Sequence, residues 1–163
     1  MTTPDTPPAP SGNQKRRMKS ASRLYAVQAL YQMEVGNLTV EKVQHEFVDH
    51  RFGAEIDEGI EMIEGDVDLF SRITSSAVNW QAKIDQMTDR ALVAKWPIAR
   101  LDPTLRALFR AAGAELVDSD TPPRVIISEY VEVTRAFFPE GREAKFVNAV
   151  LDHIAREAKP EAF

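Results

Sequence analysis

The stretch Leu101-Asp102-Pro103-Thr104-Leu105-Arg106-Ala107-Leu108-Phe109-Arg110-Ala111-Ala112-Gly113-Ala114-Glu115-Leu116 decides the fold class. Asp102 is a helix cap, and Pro103 stands at the first helical position, where its missing N–H costs nothing and its φ is already helical. Leu101, Leu105, Leu108, Phe109, Ala112 and Leu116 then recur at spacings of three and four, one apolar stripe of helical period. Gly113 inside such a helix costs about 1 kcal/mol relative to alanine. Close packing against another helix is the reading that accounts for it.

The same period runs outward in both directions. Toward the C-terminus, Asp118–Thr121 is a turn and Pro122-Pro123 starts a helix with the stripe Ile127, Tyr130, Val131, Thr134 and Phe138. Pro139–Gly141 breaks it, and a last helix carries Val147, Val150, Leu151, Ile154 and Ala158. Toward the N-terminus, a helix over roughly Ser20–Val35 has Leu24, Val27, Leu30 and Tyr31 along one side and stops at Gly36-Asn37. Thr39 caps a second helix to about Phe52. Gly53–Gly65 is acidic, lacks a pattern and reads as a loop. A third helix runs from about Asp66 at least to Trp80, with a bend and continuation to Met87 as the alternative. Asp89–Ala99 is ambiguous, with Pro97 arguing for a break near Trp96. No stretch alternates with period two, and no repeat of 20–50 residues is present, so the fold is expected to be all-α.

With 163 residues, 44% hydrophobic and 28% charged, the chain has the composition of a globular domain. No window holds the roughly 18 uninterrupted apolar residues of a membrane span, and the N-terminus lacks the apolar core of a secretory signal. The absence of cysteine excludes disulfides, thiol catalysis and Cys-based zinc sites, and fits a cytoplasmic setting. Charge is unevenly placed. Lys15, Arg16, Arg17, Lys19 and Arg23 against Asp5 alone leave residues 1–23 at +4, so the other 140 residues carry −9 of the total −5. A basic arm on an acidic body suits a polyanion held at one place. A merely solvated basic tail fits the charge run equally well. Residues 1–14, with Pro4, Pro7, Pro8 and Pro10, are expected to be a disordered lead-in, within a disordered basic arm over 1–18.

Catalytic chemistry finds little to build on. His45 and His50 are five residues apart, which separates them by about 140° around a helix and defeats a metal-binding His-Glu-x-x-His reading. His153 stands alone. No nucleophile elbow, P-loop or dinucleotide fingerprint occurs, and Glu55, Asp57, Glu58, Glu61 and Glu64 read as a solvated acidic surface. The chain is expected to be no enzyme, with no metal and no cofactor. Binding single-stranded nucleic acid needs cations to track phosphates and aromatic faces for stacking. Lys15, Arg16, Arg17 and Lys19 supply the first. Arg23 and Tyr31 share a helix face to within about 80°. Lys145 and Phe146 lie in the first turn of the last helix, where free amides favour an anion. On periodicity alone Tyr31 reads as packed, Phe146 as core or partly buried, and Lys145 as an ordinary surface lysine.

Arg23-Leu24-Tyr25-Ala26-Val27-Gln28-Ala29-Leu30-Tyr31, Ile126–Phe138 and Glu143-Ala144-Lys145-Phe146-Val147-Asn148-Ala149-Val150-Leu151-Asp152 together resemble the signatures of the NusB family of bacterial transcription antitermination factors, over about Lys19–Ala158. The resemblance implies two packed three-helix subdomains in a NusB-like domain over 19–160, divided at about 19–82 and 83–160. It implies binding of a boxA-like single-stranded RNA of the ribosomal RNA leader, together with NusE (a small-subunit ribosomal protein), within the RNA polymerase antitermination complex. Lys19 and Arg23 match basic positions of the family, and Tyr31, Phe138, Lys145 and Phe146 match its aromatic and basic positions around the RNA. Ser20 and Ala21 fall where many relatives carry Arg, and Lys15, Arg16 and Arg17 compensate a few residues earlier. Leu105 and Arg142 lie on the expected NusE surface, both at positions where some relatives are acidic, so the charge of that interface is altered here. Monomer and homodimer are both compatible with the family. Two other readings stay open: the NusB-like domain of an rRNA cytosine methyltransferase, which requires the chain to be a fragment, and a helical protein-interaction module without RNA binding.

Overall fold

The computed structural model describes residues 11–50, 55–56, 60–61, 65–92 and 101–163. The helices are α1 (Gly12–Gly36), α2 (Val40–His50), α3 (Val67–Asn79), α4 (Gln81–Ala91), α5 (Pro103–Asp118), α6 (Pro123–Phe137) and α7 (Arg142–Ala158), followed by a 3-10 turn at Pro160–Ala162. The expected all-α class is what forms. One small exception lies inside the expected loop, where Glu55–Ile56 pairs antiparallel with Ile60–Glu61. The expected break at Pro97 lies outside the described residues.

α1 starts eight residues earlier than its apolar stripe predicts. Ser11 caps it with a reciprocal box: its hydroxyl accepts from the Gln14 N–H at 3.2 Å while its own N–H donates to Gln14 Oε1 at 2.7 Å. Residues 12–18 are therefore helical, which corrects the expected disordered arm over that stretch. Apolar periodicity missed them because their side chains face solvent and a cap, not packing, sets the helix start. The other end closes at Asn37, left-handed at φ 51°, whose N–H reaches the Met33 carbonyl.

α1 and α5 pack on each other at the centre of the molecule, with α2 and α3 against α1, and α4, α6 and α7 grouped around α5. Both central helices are buried nearly all round, α1 from Ala21 to Leu30 and α5 from Leu105 to Leu116. The bend foreseen after Trp80 is a true break, since Trp80 ends α3 and begins α4. Asp66 caps α3 through the Leu69 N–H, and the Ser22 hydroxyl donates to the Asp66 carbonyl at 2.7 Å, tying that cap to α1. Asp102 caps α5 as its sequence predicts, accepting from the Thr104 N–H at 2.7 Å with Pro103 next to it. Gly113 is explained: a Cβ there would stand 2.4 Å from Cγ2 of Ile84 on α4. In the other half, Phe47 and Phe70 stack at 5.4 Å between centroids and Tyr25 tilts onto Phe47.

Candidate nucleic-acid interface

The N-terminal turns of α1 present Lys15, Arg16, Arg17 and Lys19 to solvent. Arg16 is steadied by donating to Asn13 Oδ1 at 2.6 Å. Because these cations sit on a helix, their spacing is fixed and their side chains alone supply the adaptability. Arg16 and Arg17 overhang a groove of about 450 Å³ between α1 and α6, whose floor includes Leu24, Tyr25 and Val133. Glu129 and Glu132 form the opposite lip, and Glu129 accepts from the Ser20 hydroxyl at 2.8 Å. Among the described residues the α1 lip offers free cations, whereas on the α6 lip Glu132 is paired with Arg135 and Glu129 lies 3.8 Å from Arg23 Nη1, so the cationic side of the groove is the one suited to a phosphate chain.

Arg23 does not belong to this surface. It is 4% exposed and its guanidinium forks onto Glu115, with Nε to Oε2 at 2.8 Å and Nη2 to Oε1 at 3.0 Å. Glu129 lies 3.8 Å from its Nη1, and the Tyr130 hydroxyl donates to Glu115 Oε2 at 2.7 Å. Burial pulls the guanidinium down, but the hydrogen bond and attraction to Glu115 outweigh it and hold Arg23 above its ordinary value. Burial, and then the Glu115 charge, hold the Tyr130 hydroxyl well above 10. The expectation that Arg23 contacts RNA is thus corrected: its charge is spent inside the core, joining α1 to α5. The helical face it shares with Tyr31 is too broad to separate a buried edge from an exposed one.

Tyr31 is 38% exposed, against the packed position that periodicity favours. It borders a second cavity, of about 240 Å³, lined also by Val27, Gln28, Gln32, Thr104 and Phe137. Phe137, not the expected Phe138, is the α6 aromatic in that lining. Phe138 is half-buried against the core, and its carbonyl accepts from the Gly141 N–H at 3.0 Å in the turn to α7. Lys145 is exposed. Phe146 is half-buried and meets Phe109 edge-on at 6.1 Å, so one side of its ring belongs to the core. Gly141, at φ 79°, precedes α7 with no side-chain cap, but Glu143 in the first turn offsets the pull of those amides on an anion.

For the expected protein interface the two residues part company. Arg142 is exposed at the start of α7. Leu105 is 8% exposed and part of the core, which corrects its assignment as a partner contact. Its place in the apolar stripe of α5 already carried that signal. Gln28, Thr104 and Phe137 are not singled out by the sequence reading; the three-residue spacing of Gln28 and Tyr31, which puts them on one helix face, is the signal that would have found the first of them. Among the described residues no group of His, Asp or Glu is placed to hold a metal ion, and no helix is long and apolar enough to cross a membrane.

The sequence matches the model of the NusB family over residues 20–156. It is similar to the transcription antitermination protein NusB of Maricaulis maris, with 48% identity over 156 residues, 95% of this chain and 96% of the relative. The protein of that name from Rhodopseudomonas palustris is 45% identical over 162 residues, 99% and 95% of the two chains. The fold is similar to that of T. maritima NusB, with a TM-score of 0.70 at 29% identity over 88% of this chain and 95% of that one. It is also similar to a structure described as antitermination factors NusB and NusE in complex with dsRNA, with a TM-score of 0.67 at 22% identity over 86% and 98%. At that identity the second likeness speaks for the fold alone.

Proposed function

The chain belongs to the NusB family, and from that membership we propose that it is an RNA-binding transcription antitermination factor. It binds a boxA-like single-stranded RNA together with NusE and promotes processive transcription of ribosomal RNA operons as part of the RNA polymerase antitermination complex. The observation that carries this is 45–48% identity, over nearly the whole length of both chains, with proteins named for that role. The action is binding without a catalytic step, in the cytoplasm. Lys15, Arg16, Arg17 and Lys19 capture the phosphate chain, Lys145 positions it, and Tyr31 with the outer edges of Phe138 and Phe146 contacts bases. Arg142 faces NusE. The division into helical subdomains at about 19–82 and 83–160 is part of the same proposal.

The test is binding of a fluorescent boxA-like single strand, with and without NusE, against a duplex of the same sequence, to wild type and Lys145→Ala. The expected result is preference for the single strand, strengthened by NusE and weakened by the substitution. Equal affinity for the duplex refutes single-strand recognition, and no binding in any setting refutes the assignment.

A further inference from the structure

We propose that the cavity between α1, the start of α5 and the end of α6 takes one unstacked RNA base, whose edge is read by Gln28. This rests on the RNA-binding reading above and adds a residue that sets specificity. Gln28, Tyr31 and Gln32 stand at i, i+3 and i+4 on α1 and so share a face. They border the cavity of about 240 Å³ with Thr104 from the first turn of α5 and Phe137, the last residue of α6. Val27, fully buried, closes it below.

Three features select a base over other occupants. Tyr31 and Phe137 bring two aromatic side chains to the edge of the cavity, the feature that single-strand readers use to hold a splayed base. No Lys or Arg is among the lining residues, so the cavity is not built for a phosphate. Among the described residues, Gln28 Oε1 is the buried side-chain polar atom without a hydrogen-bond partner. Buried polar atoms are nearly always paired, and Gln28 Oε1, sealed as it stands, would gain a partner if the carboxamide turned toward a base in the cavity that Gln28 lines. A carboxamide offers an acceptor beside a donor. Nucleobase edges offer the same complementary pairing, whereas a phosphate offers acceptors only and would meet Oε1 unfavourably. Placement agrees: Lys19 and Tyr31 are twelve residues apart, about 18 Å along the helix, so one strand gripped at the basic turns can reach the cavity with a base several nucleotides on.

The experiment uses the full chain and a fluorescent boxA-like single strand, with a series of strands carrying one abasic nucleotide at each position in turn. Gln28→Met keeps the length of the side chain and removes its polar atoms, and Tyr31→Leu removes the ring from an exposed position; thermal melts confirm that both fold. Wild type should lose about tenfold in affinity at one abasic position, equivalent to about 1.4 kcal/mol. Gln28→Met should bind the intact strand about tenfold more weakly, become indifferent to the abasic nucleotide at that position, and keep the wild-type salt dependence. Tyr31→Leu should show the same loss at the same position. If Gln28→Met binds with wild-type affinity and an unchanged abasic profile, the inference is overturned while RNA binding stands. A loss spread evenly over all positions with a lowered melting temperature marks a structural role and overturns it as well. If wild type binds none of the strands, the functional reading fails and takes the inference with it.

Discussion

Removing either end of the buried pair Arg23–Glu115 separates a scaffold role from an RNA-binding one. Both residues are nearly sealed, at 4% and 3% exposure, and share hydrogen bonds of 2.8 and 3.0 Å. Arg23→Met leaves the Glu115 carboxyl group in the core with Tyr130 as its remaining side-chain partner, and Glu115→Leu leaves a guanidinium with Glu129 at 3.8 Å. Stranding one charge of a buried pair costs about 3–5 kcal/mol. For a chain of this size each kcal/mol moves Tm by about 2–4 °C, so each variant should melt about 6–20 °C lower. The double variant removes both charges and orphans the Tyr130 hydroxyl, at about 1–3 kcal/mol. It should therefore be no worse than either single variant, a coupling of several kcal/mol in a denaturation cycle. The parallel assay is RNA affinity against salt, measured well below the lowered Tm, where Arg23→Met should leave the slope unchanged. A single-variant cost under about 1 kcal/mol, with the slope flattened by about 0.7, the value of one phosphate contact on a single strand, would refute the reasoning and return Arg23 to the RNA surface.

Gly113→Ala should destabilise the protein by about 1–3 kcal/mol through overpacking against Ile84, although alanine is the better helix former by about 1 kcal/mol; a Tm equal to or above wild type would show that α4 yields. The raised Tyr130 hydroxyl gives an alkaline signature. A group whose folded pKa lies above its unfolded value contributes stability that is intact below the unfolded value and lost as pH rises through the folded one. Melting temperature should therefore fall as pH is taken above about 10, and Tyr130→Phe should flatten that fall, leaving the smaller share from Tyr25, also raised by burial. If Lys15, Arg16, Arg17 and Lys19 each neutralise a phosphate, log affinity should fall against log salt with a slope of about −3; reversing all four charges should bring the slope toward zero, and an unaltered slope would exclude the first turns of α1 from the site.

Much of the fold was legible because each helix of the C-terminal half advertises its own start and its own buried side. Asp102-Pro103 marks α5 by chemistry local to two residues, and the Leu105–Leu116 stripe states that this helix is buried whatever surrounds it. The start of α1 was not legible in the same way. Its first turns bury nothing, so the Ser11–Gln14 box alone announces them, and a Ser-Gly-Asn-Gln run after a proline-rich stretch reads equally as linker. The break at Trp80 shows the converse case, an apolar pattern that continues across a change of direction.

For the interface, the sequence by itself determined which chemistry is present: a cluster of cations at one end, aromatics at spaced positions, and a net negative body that repels polyanions elsewhere. Composition and helical period suffice for that, because both are properties of the chain read locally. Only the tertiary structure decided which of those groups are free to act. Arg23 and Lys19 are both cations on α1, yet Glu115, ninety-two residues away from Arg23, claims one and leaves the other. Phe137 and Phe138 are adjacent aromatics, and the cavity beside Tyr31 selects the first. Exposure of a charge, or the turn of a ring toward a cavity, depends on what another helix brings opposite it, and that is not written in the neighbouring residues.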